Sequence, residues 1–245
     1  MKTLADHEPV QPQRRPVIAP EVLPQRLAEA ARYAILLRVA PALRHDVAGL
    51  MQPVGMLTKI LQRRVQMTEP DLQEITKNLA TVGGLVKEAT AGCMSAIGWM
   101  ISGEDTPFNL RSGVNEAVKL LQRELFLADM AVLNDIFDEQ ASVPQSFVRS
   151  AVMGALLAFC DQRTTGHTLQ LTLEPTSGSS DASDASGALL LRMLPGEALN
   201  EPVSKASQDK FRKIDWDDVE AMAGSFNVTM ARGEGWLRLG LPKTE

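Results

Sequence analysis

Leu43-Arg44-His45-Asp46-Val47-Ala48-Gly49-Leu50-Met51-Gln52-Pro53 decides how the rest of the chain is read. Apolar residues recur at Leu43, Val47, Leu50, Val54, Leu57 and Leu61. Steps of three and four residues put one apolar stripe along a helix. His45 lies midway between Leu43 and Val47, so it falls roughly opposite that stripe and projects into water with Asp46 beside it. Ala48, Gly49, Gln52 and Gly55 surround it and are mostly small. An imidazole with cleared space around it suits a partner whose active site closes over it. From this segment alone, an ordinary solvated histidine would look the same.

Upstream, the helical pattern begins near Glu21 or Pro24 and carries Leu27, Ala31, Ala34, Ile35, Leu37 and Val39. Pro41 and Pro53 each remove a backbone donor and crowd the preceding turn, which predicts two bends. The helix runs to about Gln66. Met67-Thr68-Glu69-Pro70 reads as a turn, with Thr68 or Glu69 near the cap and Pro70 at the first helical position. A second helix spans 71 to about 101. Leu72, Leu79, Val86, Cys93 and Met100 repeat at heptad spacing, and Ile75, Val82, Ala89 and Ala96 form a second series offset from the first. Gly83-Gly84 weakens this helix locally or lets another helix approach closely. Two antiparallel helices cannot enclose a core alone. A second copy related by a two-fold axis would complete a four-helix bundle, so a homodimer is expected through residues 24–101.

The totals narrow the function. Among 245 residues, 25 Lys and Arg face 30 Asp and Glu, a net charge of -5. No basic patch is present, which argues against nucleic acid as a partner. Cys93 and Cys160 both sit in apolar helical patterns and read as buried free thiols in a reducing compartment. His7, His45 and His167 are scattered, so neither a zinc site nor any other metal or cofactor is expected. The start lacks the apolar core of a signal peptide, and the longest apolar run, 151–160, is too short to span a bilayer. The expectation is a soluble, cytoplasmic protein without a membrane contact.

The chain divides into a proline-bearing disordered tail at 1–20, a helical hairpin at 21–103 and an α/β region at 104–245. In the last region Phe108-Asn109-Leu110 reads as a short strand, and Ser112 or Gly113 caps a helix running to about Ala128. A strand follows at 131–136. Ser142-Val143-Pro144 starts a helix whose apolar run, 147–160, must be central. Strands at 167–173 and 188–194 flank a Ser/Asp/Gly-rich loop at 176–187. A polar irregular stretch covers 195–210. Asp215 or Asp217 caps a helix through Val219 and Met222 that ends at Gly224, and 227–231 with 236–241 makes a closing hairpin. The fold class is α+β: an antiparallel helical hairpin forming a dimeric bundle, then an α/β sandwich with helices on one face of a mixed sheet.

In this order, residues 24–245 resemble the sensor histidine kinases. The resemblance is carried by Leu43-Arg44-His45-Asp46, by Phe108-Asn109-Leu110 opening the second region, and by the closing helix, Gly224 and the hairpin ending in Leu241-Pro242. It implies a dimerisation and phosphotransfer hairpin followed by a domain like an ATP-binding domain. In that family the helix after the second strand carries asparagines that hold magnesium and nucleotide. Gly154 and Ala158 stand about there, and neither side chain offers oxygen to a hard cation. The acidic turn that holds adenine is replaced by Arg192-Met193-Leu194-Pro195-Gly196, and the glycine-rich lid is missing. Phosphoryl transfer from ATP depends on positioning and metal-assisted charge neutralisation, so no autonomous kinase activity is expected.

A chain that keeps the histidine helix without the nucleotide site resembles the dimeric histidine phosphotransferases with a degenerate kinase-like domain, which relay phosphoryl groups between response-regulator receiver domains. The resemblance implies that His45 is the phosphoacceptor and that Asp46 orients the imidazole or accepts its proton. Arg44 is a candidate phosphate contact, and Gln52 and Gly49 would face the docked receiver, which supplies the magnesium. Gly49 stands where many bifunctional kinases place a Thr or Asn that directs a hydrolytic water, so strong phosphatase activity is not expected. Expected partners are receiver domains, with a sensor histidine kinase as a further candidate. The second domain would be a platform, its surface shaped by Asp129, Asp135, Asp138 and Glu139. The alternative is a non-enzymatic pseudokinase-like adaptor that binds or sequesters two-component signalling proteins while His45 stays chemically silent.

Overall fold

A computed structural model describes residues 22–100, 105–137, 141–162, 166–174, 187–196 and 211–243. The tail at 1–20, nearly all of the loop at 176–187, the stretch at 197–210, and Asp138 and Glu139 lie outside the described residues.

Helix α1, Leu23–Val65, is 43 residues long. A proline in its first turn removes a donor that no helix start uses. Pro41 and Pro53 lie inside the helix, and neither interrupts it. Val39 and Leu43, both buried, flank Pro41, so tertiary packing holds the turn that local propensity would loosen.

The buried stripe of α1 serves two targets. Ala28, Ala31, Ala34, Ile35, Arg38 and Val39 sink into the core of the α/β region. Small side chains let the helix lie close against its neighbours there. Beyond Leu43 the stripe turns to α2, with Val47, Leu50, Val54 and Leu57 half-buried and Leu61 buried. Leu37, expected in the apolar stripe, is exposed, and Arg38 is buried instead.

Helix α2, Leu72–Met100, runs back along α1. Asp71, not Thr68 or Glu69, caps it: its Oδ1 accepts from the N–H groups of Gln73 and Glu74 at 2.9 and 3.1 Å. Ile75, Val82, Ala89 and Ala96 form its covered face. Gly92 sits against α1: a Cβ there would fall 2.2 Å from Leu50 Cδ1. Around Gly83 and Gly84, by contrast, a Cβ would meet nothing within 4 Å.

The α/β region follows. Strand β1, Pro107–Asn109, leads into α3, Leu110–Leu120, and α4, Gln122–Leu127. Asn109 caps α3 by accepting from the Ser112 N–H at 2.9 Å, so the cap precedes the expected Ser112 or Gly113. The expected single helix is broken at Leu121. Strand β2 is Met130–Asn134. Ser142–Pro144 is a strand, β3, rather than a helix start, and it pairs antiparallel with β1. A helical run then passes through α5, Gln145–Phe147, a wider π-helical turn at Val148–Val152, and α6, Met153–Gln162. Strands β4, His167–Glu174, and β5, Ala188–Pro195, precede α7, Trp216–Gly224. The hairpin of β6, Met230–Gly233, and β7, Trp236–Gly240, closes the chain, β6 starting later than expected.

The main sheet has the order β2-β4-β5-β7-β6. Only β2 and β4 are parallel, because the run of α5 and α6 carries the chain over one face between them. Leu169 and Leu171 of β4, Leu189 and Leu191 of β5, and Leu237 and Leu239 of β7 are fully buried at every second position. Each such leucine contributes about 1.5–3 kcal/mol by leaving water. Every residue from Met153 to Cys160 is buried, with α7, α1 and α4 packed against α6. The site lies where α1 leaves this layered core and continues along α2.

Candidate functional site on helix α1

His45 emerges two residues after the last residue of α1 that is buried in the α/β core, Leu43. Its side chain is 89% exposed. Arg44, Asp46, Gly49 and Gln52 are exposed with it, while Val47 and Leu50 turn inward. A Cβ on Gly49 or Gly55 would meet nothing within 4 Å, so the surface beyond the imidazole is open. The sequence-derived residues are therefore all accessible, with Gly49 and Gln52 on the same side of the helix as His45. No described helix is long and apolar enough to cross a membrane.

Asp46 divides its oxygens between two cations or potential cations. Oδ1 is 3.7 Å from His45 Nδ1, within charge-pair range but longer than a hydrogen bond. Oδ2 is 3.5 Å from Nζ of Lys119, in the last turn of α3. Nothing local in the sequence links Lys119 to His45. The link exists because α1 and α3 are both packed on the α/β core.

On the α1 side, Arg38 ties the helix to α4 and α6 of that core. Its guanidinium donates to both oxygens of Asp161 at 2.5 and 2.8 Å and to Glu124 Oε2 from Nε and a terminal nitrogen at 3.1 and 2.9 Å. Burial works against its charge, but the hydrogen bonds and charge of Asp161, then those of Glu124, outweigh it and raise its pKa. Asp161 Oδ2 also accepts from the Ile214 N–H at 2.8 Å, which ties the approach to α7 into the same knot. Helix α7 is capped by Asp215, the first of the two expected candidates, with Asp217 inside its first turn. Arg38 is legible in hindsight: it falls in register with Ala31, Ala34 and Ile35, where a solvated arginine does not belong.

Gly154 and Ala158 are both fully enclosed in α6 or nearly so. A Cβ on Gly154 would fall 2.3 Å from Met222 Cε of α7 and 3.7 Å from Ile35 Cδ1 of α1. A cleft of about 520 Å³ opens elsewhere, between Ala188, Phe226, Thr229 and Lys243, and shares no residue with either place. Asp135 accepts from Gln170 Nε2 at 2.6 Å, and Asp129 is buried with a left-handed backbone, φ 48°, so neither is a freely presented surface carboxylate. Among the described residues no group of three His, Cys, Asp or Glu is placed to hold a metal ion. Cys160 is buried and Cys93 only partly so, and the two are not joined in a disulfide.

No family model and no curated protein matches this chain. Solved structures that align with it include the Acinetobacter baumannii histidine kinase AdeS, at 13% identity and a TM-score of 0.42, covering 77% of this chain and 96% of that one. Histidine kinase ThkA in complex with response regulator protein TrrA aligns at 13% identity and a TM-score of 0.39, over 93% and 68%. A histidine kinase from Burkholderia phymatum aligns at 11% identity and a TM-score of 0.38, over 89% and 96%. These are similarities at low identity.

Proposed function

We propose that the chain is a phosphorelay histidine phosphotransferase that passes phosphoryl groups between His45 and receiver-domain aspartates of response regulators without binding ATP. The observation that carries this reading is the 89% exposed imidazole of His45 on an open helical face. With Nδ1 turned toward Asp46, Nε2 is the nitrogen that faces a partner. Its lone pair forms the N–P bond. The acyl phosphate O–P bond breaks, and its electron pair stays on the receiver's carboxylate. The ring proton remains on Nδ1 beside Asp46, so the phosphorylated ring is cationic and the carboxylate opposes that charge. Arg44 is available to phosphate oxygens, and Gly49 and Gln52 form part of the surface a receiver would cover.

The nucleotide-free part of the reading is supported by Met222 and Ile35, which fill the space beside Gly154. A homodimer is supported by the apolar series of α2 that α1 leaves uncovered: Leu72, Leu79 and Val86 are 71, 57 and 45% exposed. The hairpin of 21–103 would then supply the bundle and phosphoacceptor, and 104–245 the platform beside it, in the cytoplasm.

The test is incubation with phosphorylated receiver domains of two-component systems. Label should reach the wild type and not His45→Ala. Absence of label from every receiver would refute the transferase. Binding of receivers that survives His45→Ala, with no label, would identify an adaptor instead.

A further inference from the structure

Lys119 of α3 stands across from the phosphoacceptor helix, its Nζ 3.5 Å from Asp46 Oδ2, while the other oxygen of the same carboxylate is 3.7 Å from His45 Nδ1. Resting on the phosphotransfer reading of His45, we propose that Lys119 is a catalytic residue of that site: it contacts the phosphoryl oxygens during transfer, and it is the contribution of the α/β region to the chemistry.

The argument starts from charge. A phosphoryl group arriving at His45 brings anionic oxygens next to Asp46, a carboxylate that already faces the imidazole. Like charges at that separation oppose the arrival, and a mobile cation beside both relieves the opposition. Lysine suits this task because its ammonium is a compact charge on a flexible stem and presents three rotatable donors. Its side chain is 72% exposed, so the ammonium is free to swing from the carboxylate to the phosphoryl group.

The backbone that carries it is not free. Leu110, Val114, Ala117 and Leu120 of α3 are buried. On the opposite side Val39 and Leu43 of α1 are buried, and Arg38 is clamped by Glu124 and Asp161. The backbone at Lys119 is therefore held relative to that at His45 by packing on both helices, and its exposed side chain moves from that fixed point. A lysine placed merely for solubility needs no such anchoring. This gives the α/β region a role that requires no nucleotide.

Phosphoramidate, a small donor that needs no partner protein, separates the possibilities. The Nε2 lone pair of His45 forms the new N–P bond as the donor's own N–P bond breaks and its electron pair departs with ammonia. Phosphohistidine is followed by phosphorus NMR and intact mass in the full-length wild type and in H45A, K119A, K119R, K119E, D46N and D46N/K119A. His45-dependent labelling should slow roughly two- to fivefold in K119A, the scale of one solvent-exposed charge contact. It should slow further in K119E and recover in K119R, with unchanged unfolding midpoints throughout. Lys119→Ala should also slow the D46N protein, because the contact is with the phosphoryl group and not only through the carboxylate. Equal rates in wild type and K119A, or no added effect on D46N, would overturn the role of Lys119 while leaving His45 a competent acceptor. A wild type that takes no label, or a label that persists in H45A, would overturn the His45 reading and this one with it.

Discussion

Arg38 in α1 and Asp161 in α6 are joined by two hydrogen bonds of 2.5 and 2.8 Å across 123 residues of sequence. Fork-to-carboxylate pairing of this kind fixes direction as well as distance. With Glu124 on the same guanidinium, it locks the first half of the longest helix to the α/β core. The side chains of Arg38, Asp161 and Glu124 are nine-tenths enclosed or nearly so, at 5, 10 and 11% exposure.

Removing the arginine leaves two carboxylates enclosed without their cation. Arg38→Met should lower stability by about 3–5 kcal/mol, the range for breaking a buried pair from one side. Arg38→Lys should lose less, because it keeps a cation beside the two acids, but it should still lose some, because a point charge cannot satisfy both in the fork geometry. A raised pKa makes the arginine's contribution complete below its ordinary range and lost only as pH climbs through the raised folded value. The Arg38→Met deficit in urea unfolding should therefore not change through any titration of Arg38 between roughly pH 6 and 9.

Gly154 and Met222 share one space. Gly154→Ala should cost about 1–3 kcal/mol through overpacking, and Met222→Ala about 2–5 kcal/mol through the cavity it leaves. In the double variant the new methyl occupies part of the vacated volume, so its loss should be smaller than the sum of the two. Strictly additive losses would mean that the methionine does not lie against Gly154.

The same filled space has a binding consequence. Titration calorimetry with Mg-ATP should give heats of dilution only. A saturable heat would contradict the nucleotide-blind reading and restore the kinase hypothesis.

The uncovered series on α2 is tested by charge. Leu79→Glu and Val86→Glu should leave helical content intact, because these side chains are already largely exposed in the single chain. Sedimentation should show a dimer for the wild type and a monomer for the variants. A wild type that sediments as a monomer would remove the bundle.

The outward placement of His45 predicts that its loss is chemical and not structural. His45→Gln should keep the wild-type unfolding midpoint while abolishing label from phosphorylated receivers. A lowered midpoint would show that the side chain has a packing role that its exposure does not suggest.

The parts of the fold that follow a long local pattern are legible in the sequence. The alternating leucines of β4, β5 and β7, the two series on α2 and the cap and end of α7 all announce themselves within their own segments. So does the outward direction of His45. Strand β3 escapes this reading because three residues are too few for a period, and its partner β1 lies far back in the chain. Proline at its last position also resembles a helix start. The break at Leu121 and the cap at Asn109 are one- to three-residue events that pattern cannot place. Arg38 and Lys119 are non-local in the same way: each acquires meaning only from a residue on another element.

Helix α1 lends one stretch of itself to each half of the molecule, and this limits how the gene could be cut and rejoined. Splitting the chain after α2 would take Ala28, Ala31, Ala34, Ile35 and Val39 away from the α/β interior and leave an alanine-lined wound on one fragment and the bare apolar faces of α7 and α6 on the other. Exchange of the C-terminal half for that of another protein would have to bring a matching first helix with it, so the two halves travel as a single inheritable piece.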